Sequence, residues 1–185
     1  MRKLIDVTMP LYNGISVWPG DTPFERTTTQ NGDFSSSKVT MSLHTGTHMD
    51  APRHRFKDGK TIDEIFPFIV SALVKTSGDP AGKAVLLDKP LTSHEAEELV
   101  ESGVVLIGTS SNSIDHGELM DAHAIILGAG IPIIENLVLA AVAPGEYIVM
   151  AFPLKFTGAD GSPVRVVLAE KAEDIFSFKR GSNND

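Results

Sequence analysis

The apolar residues of this chain come in short runs cut by glycine and proline. The chain has 16 Gly and 11 Pro in 185 residues, and its helix signals are fewer than its strand signals. Glycine carries an entropic cost inside a helix, and proline lacks the amide donor that a helix interior needs. What remains is a domain of short strands and a few short helices. Strand candidates are residues 4–7, 38–44, 69–75, 84–87, 104–108, 131–134, 147–153 and 164–169. In segment 38–44, Val39, Met41 and Leu43 alternate with Lys38, Thr40, Ser42 and His44. That period of two predicts a half-buried strand with His44 on its polar face. Thr92-Ser93-His94-Glu95 reads as a capping box that opens a helix ending at Gly103. Residues 63–66 read as one helical turn, and 118–127 and 136–141 as short helices. Two prolines and a glycine make 17–23 a loop. The expectation is one mixed α/β (α+β) domain over residues 1–178, with a disordered polar tail at 179–185.

Composition removes several classes of function. The formal charge is −8, so no basic face is available for nucleic acid or an anionic membrane. Apolar runs such as 65–74 are far too short to span a bilayer. Charges fall too early in Met1-Arg2-Lys3-Leu4-Ile5-Asp6 for a secretory signal, so a soluble, cytoplasmic protein is expected. There is no GxGxxG and no Walker loop. There is also no cysteine, which leaves histidine and carboxylate as the only metal ligands.

Those ligands are concentrated. Three of the six histidines fall within residues 44–54, spaced His44-x3-His48-x-Asp50-x3-His54. Imidazole and carboxylate are the natural partners of Zn²⁺ and similar ions. Gly46 and Pro52 oppose a helix, so the spacing is not that of a helical zincin. Gly46 instead permits a sharp turn that returns His48 to His44, and Asp50 follows on the same side of an extended chain. Three ligands with an open fourth position is the plan of a catalytic site. His123, in Asp121-Ala122-His123, and Glu135, after segment 131–134, are candidates for a second ion with Asp50 as the bridge. His94 and His116 read as ordinary surface or satisfied residues. An S-x-x-K is present at Ser35-Ser36-Ser37-Lys38, but it lies between a polar loop and a strand, and no G-x-S-x-G exists.

The segment His44-Thr45-Gly46-Thr47-His48-Met49-Asp50-Ala51-Pro52-Arg53-His54 resembles the HxGTHxDAPxH signature of the cyclase family, which includes the bacterial metal-dependent kynurenine formamidases and isatin hydrolase. Trp18-Pro19-Gly20-Asp21-Thr22-Pro23-Phe24, Met120-Asp121-Ala122-His123 and Ile134-Glu135-Asn136-Leu137 resemble other blocks of the same family. The resemblance implies a swivelling β/β/α fold and a homodimer or larger assembly. It implies His44, His48 and Asp50 as ligands of one metal ion, and His123 and Glu135 as ligands of a second that shares Asp50. It implies His54 as the catalytic acid–base and Trp18, with Phe24, as substrate-facing aromatics. The implied cofactor is one or two Zn²⁺, with Mn²⁺ as an alternative. The implied reaction is hydrolysis of N-formyl-L-kynurenine to L-kynurenine and formate, with opening of a cyclic amide such as isatin as the alternative. Two blocks depart from the family pattern: Ala124 follows His123 where a second histidine is usual, and Ser110-Ser111-Asn112-Ser113 replaces a stretch that usually carries Asp and Pro.

Overall fold

A computed structural model describes residues 4–117 and 119–176. The expected tail, 179–185, and the predicted helix start at Glu118 lie outside the described residues. Ten strands and three α-helices are present among the described residues. The strands are β1 (Leu4–Asp6), β2 (Glu25–Asn31), β3 (Phe34–Thr40), β4 (His48–Asp50), β5 (Phe68–Val74), β6 (Ala84–Leu87), β7 (Leu106–Thr109), β8 (Ile133–Glu135), β9 (Gly145–Pro153) and β10 (Gly161–Ala169). The helices are α1 (Ser93–Glu101), α2 (Asp121–Gly128) and α3 (Ala172–Phe176). Single 3-10 turns cover Pro52–His54 and Ile62–Glu64. No described helix is long and apolar enough to cross a membrane.

Eight strands form one sheet in the order β1-β10-β4-β8-β7-β6-β5-β9, and β9 also pairs with β10. That last pairing closes seven of the strands, β10 to β9, on themselves and leaves β1 as an edge paired with β10. β10 makes the closure by dividing its length. Its first residues, Gly161 to Pro163, pair with β4, and its last, Val167 to Ala169, pair with β1 on the same side. The opposite side pairs with β9 from Val164 to Ala169.

The four adjacent strands β5, β6, β7 and β8 run parallel, and apart from the first half of β5, where Ile69 and Ser71 are exposed, they are covered on both faces, so alternate residues serve two cores. Ala72, Val74, Ala84, Leu86, Leu106 and Ile134 fill the inside of the closed sheet. Leu73, Val85, Ile107 and Ile133 meet Ala96 of α1 and Ala122, Ile126 and Leu127 of α2 on the outside. Double coverage is why these strands read as continuous apolar runs rather than as alternation. β9 keeps a clean alternation, with Tyr147, Val149 and Ala151 buried and Glu146 and Phe152 exposed.

The capping box at α1 forms as its sequence predicts. Thr92 Oγ1 accepts from the Glu95 amide, and the Glu95 carboxylate accepts from the Thr92 amide at 2.8 Å. Two predictions are corrected. Segment 38–44 is not a half-buried strand: β3 runs from Phe34 to Thr40, pairs among the described residues with β2 alone, and is exposed on both faces. No layer covers this ribbon, so its alternation selects no face, and His44 lies in the turn that follows rather than on the strand. Segment 136–141 is not helical. Its amides are committed elsewhere: Asn136 donates to Ser111, Leu137 to Thr109 and Val138 to Val7.

Leu86 is fully buried in the inner core. Leu86→Ala is expected to cost about 2–5 kcal/mol, and Thr92→Ala about 1 kcal/mol through the lost cap. Urea unfolding measures both, and a smaller cost for Leu86→Ala would contradict the inner core as the main source of stability.

Candidate metal centre

Strand register assembles the centre. β4 lies between β10 and β8, with His48 opposite Glu135 and Asp50 opposite Ile133. Residues two apart on a strand share a face, and directly opposed residues do too. His48, Asp50 and Glu135 therefore project from one face of the sheet, the face that α2 covers. Met49 and Ile134, between them, enter the inner core and are fully buried. α2 brings His123 to the same place.

Each imidazole is oriented by its other nitrogen. Gly46 adopts φ +66°, a left-handed turn in which its carbonyl accepts from His48 Nδ1 at 2.9 Å. His48 Nε2 then lies 3.4 Å from Asp50 Oδ1 and 3.5 Å from Glu135 Oε2. Asp115 accepts from His123 Nδ1, which turns Nε2 toward Glu135 Oε1 at 3.3 Å and Asp50 Oδ2 at 3.6 Å. The other oxygen of Asp115 accepts from the Ala122 amide at 2.6 Å and so satisfies a free donor at the start of α2. Glu135 Oε1 accepts from the Ile114 amide at 2.7 Å. His44 Nδ1 sits 2.8 Å from Asp50 Oδ1, and its Nε2 sits 3.1 Å from Asp160 Oδ2. Thr47 ties the flanks together by donating to the Asn136 carbonyl at 2.6 Å and accepting from the Met9 amide at 2.8 Å.

The electrostatics follow from this crowding. Burial opposes the charge on Asp50, but the adjacent imidazoles of His48, His123 and His44 hold its carboxyl well below the usual carboxylate range. Burial likewise opposes charge on the rings. It is outweighed for His44 by Asp50 and Asp160, which push it up to about 9. For His123 it is outweighed by Asp115, Asp50 and Glu135, which push it up to about 11.

The residues fit a divalent cation. Asp50 is 1% exposed, yet its Oδ2 has no hydrogen-bond partner. A buried carboxylate oxygen without a partner is costly unless something positive meets it. Bonds of about 2.0–2.2 Å at tetrahedral angles put neighbouring ligand atoms about 3.3–3.6 Å apart. His48 Nε2 lies in that range from Asp50 Oδ1 and Glu135 Oε2, and His123 Nε2 from Asp50 Oδ2 and Glu135 Oε1, so each imidazole faces its own oxygen of each carboxylate. His44, His48 and Asp50 also group tightly enough to share an ion, as do Asp50, His54 and His123.

The centre forms part of the wall of a cavity of about 770 Å³. His44, His48, His54, His123 and Glu135 line it together with Met9, Tyr12, Ile15, Trp18, Asn112 and Met120. His54 is in the 3-10 turn after β4, and its Nδ1 lies 3.3 Å from Asp160 Oδ2. Trp18 is half exposed at the mouth. Phe24 is not part of the lining: it is buried at 6% exposure, and the expectation of a substrate-facing ring is corrected for it. His94 is exposed, as expected. Sequence reasoning missed Asp115, Asp160 and Tyr12. Asp160 stands 106 residues from the ring it meets, and no local pattern marks such a partner. Asp115 does sit a few residues before His123, a spacing that only the turn between them makes meaningful.

Residues 5–112 match the model of the Cyclase family, described as Putative cyclase. The chain is 36% identical over 200 residues to the kynurenine formamidase of Bacillus cereus, covering 89% of this chain and 96% of that one. This chain belongs to the cyclase family. The kynurenine formamidase of Bacillus anthracis is 35% identical over 202 residues, covering 90% and 97%. Among solved structures, a predicted metal-dependent hydrolase from Bacillus stearothermophilus aligns with TM-score 0.78 at 28% identity over 91% of this chain and 98% of its own. Isatin hydrolase A from Ralstonia solanacearum shares the fold, with TM-score 0.80 at 21% identity over 91% and 92%.

A cation must displace the protons held by His44 and His123, whose pKa values lie at about 9 and about 11 in the metal-free protein. Both shifts are upward, so the protonated rings dominate at neutral pH and apparent metal affinity rises with pH. Calorimetric titration with Zn²⁺ in buffers of different ionisation enthalpy should show proton release. Heats that are independent of the buffer would contradict it.

Proposed function

We propose that this cyclase-family chain is a kynurenine formamidase that hydrolyses N-formyl-L-kynurenine to L-kynurenine and formate. The observation that carries the reading is the convergence of three imidazoles and Glu135 on the wall of a cavity that Tyr12 and Trp18 also line, with the orphaned oxygen of Asp50 buried directly behind them. Relatives at about 35% identity named kynurenine formamidase support the substrate. His44, His48 and Asp50 would hold one Zn²⁺ or Mn²⁺. His123 and Glu135, with Asp50 shared, would hold a second. A homodimer or larger assembly belongs to the same reading.

When bound, a divalent cation supplies Lewis acidity, which lowers the pKa of water toward ~7 and polarises a carbonyl. The chain's own residues do the rest. Tyr12 and Trp18 offer rings against which the aryl group stacks. His54 takes a proton at Nε2 as water's oxygen bonds to the formyl carbon, because Asp160 occupies Nδ1. The same proton goes to the amine nitrogen as the carbon–nitrogen bond breaks. Without that transfer an arylamine anion would have to leave. Asp115 and the Gly46 carbonyl keep the lone pairs of His123 and His48 aimed inward throughout.

Purified protein should deformylate N-formylkynurenine, lose the activity to a chelator and regain it with added Zn²⁺ or Mn²⁺. Turnover of isatin in its place would reassign the substrate to cyclic amides. His54→Ala is expected to retain metal but lose about 10²–10⁴-fold in kcat, whereas His48→Ala is expected to lose metal. Metal analysis alongside kinetics separates the two, and full activity of His54→Ala removes its acid–base role.

A further inference from the structure

One carboxylate oxygen meets two imidazoles with different tasks. Asp160 Oδ2 lies 3.1 Å from His44 Nε2 and 3.3 Å from His54 Nδ1. The two rings are themselves adjacent, with centroids 4.2 Å apart. An ionised carboxylate has no hydrogen to give, so each ring must present an N–H to it. His44 is held between two carboxylates, with Asp160 at Nε2 and Asp50 Oδ1 2.8 Å from Nδ1, so Asp160 fixes the plane in which Nδ1 faces the centre. For His54 the N–H at Nδ1 leaves Nε2 as the nitrogen that accepts a proton.

The location of this oxygen is built rather than incidental. The Asp160 carbonyl accepts from the Ala51 amide at 2.9 Å, next to Asp50. The Ala159 carbonyl accepts from the Ile62 amide at 2.9 Å, and the Gly158 amide donates to Asp63 Oδ1 at 3.0 Å. Both bonds tie the loop before β10 to the 3-10 turn at Ile62–Glu64. Gly161 opens β10 directly opposite Asp50. A Cβ on Gly161 would stand 2.8 Å from His44 Cε1, so glycine there is what lets the ring lie against the strand.

We infer that Asp160 is a positioning residue whose single oxygen holds the rings of His44 and His54 together and keeps His54 in the tautomer whose Nε2 accepts a proton. A hydrogen-bonded carboxylate behind a ligand or acid–base histidine fixes ring orientation and raises basicity, and its removal costs about 10–100-fold in metal affinity or activity. Here one carboxylate serves both rings, so the placement of the acid–base group is coupled to the placement of a metal ligand. The inference rests on the roles proposed above for His44 and His54.

The test compares Asp160→Ala, Asp160→Ser and Asp160→Asn. The side chain is 45% exposed, which makes truncation tolerable to the fold, and Asn keeps one acceptor oxygen. Nitrogen-15 spectra of the histidine side chains in metal-free protein are expected to show His54 protonated at Nδ1 in the parent and in Asp160→Asn. In Asp160→Ala and Asp160→Ser the proton should shift toward Nε2. With saturating Zn²⁺, kcat on N-formylkynurenine should fall about 10–100-fold in the two truncations with KM little changed, and Asn should restore most of it. An unaltered His54 tautomer in both truncations overturns the inference, and so does a parental kcat. If the parent protein does not turn over this substrate, the functional proposal fails while the spectra still decide the role of Asp160.

Discussion

The carboxylate of Asp50 is the constraint around which this molecule is arranged. It is ionised, almost wholly buried, and has an oxygen that no donor reaches. Burying such a group is strongly unfavourable unless positive charge gathers around it. His44 answers from a turn, His48 from the same strand and His123 from a helix. None of the three is free to swing, because Asp160, the Gly46 carbonyl and Asp115 each engage the remaining nitrogen of one ring. Two residues beside the ligands accept left-handed backbone: Met120, just before α2, at φ +48°, and Asn136, just after Glu135, at φ +57°. Such conformations persist where surrounding structure dictates them, and they collect at functional sites.

The closed sheet makes that arrangement possible. A three-residue strand is a poor foundation alone, but β4 is hydrogen-bonded on both sides and continues into the 3-10 turn that carries His54. Its alternate residue, Met49, is locked into the inner core. The strands that supply rigidity and the strand that supplies chemistry are thus one continuous surface. Helices α1 and α2 contribute the outer core, and α2 also brings the imidazole of His123 to the centre.

Much of this was legible in the chain. The buried strands β5, β6, β9 and β10 announce themselves because burial on one or both faces demands apolar residues at fixed intervals. The α1 cap is legible because its bonds are local. The cluster of imidazoles and carboxylates is legible because His44, His48, Asp50 and His54 lie within eleven residues and Glu135 ends a strand. The ribbon β2–β3 was not, since a Thr- and Ser-rich hairpin that buries nothing carries no hydrophobic period. Segment 136–141 misled because its apolar content serves the inner core through an extended path. Asp115 and Asp160 were invisible as orienting groups: their partners are set by the tertiary fold, not by spacing.

The pairing of β4 with β8 has one more consequence. Side chains alternate along a strand, so a shift by a single residue would drive the carboxylate and the imidazole into hydrocarbon and lift Met49 out of it. A misaligned chain would have no cavity able to take up an ion. An ion taken up by the centre would therefore stabilise only molecules in which β4, one of three three-residue strands, lies in register.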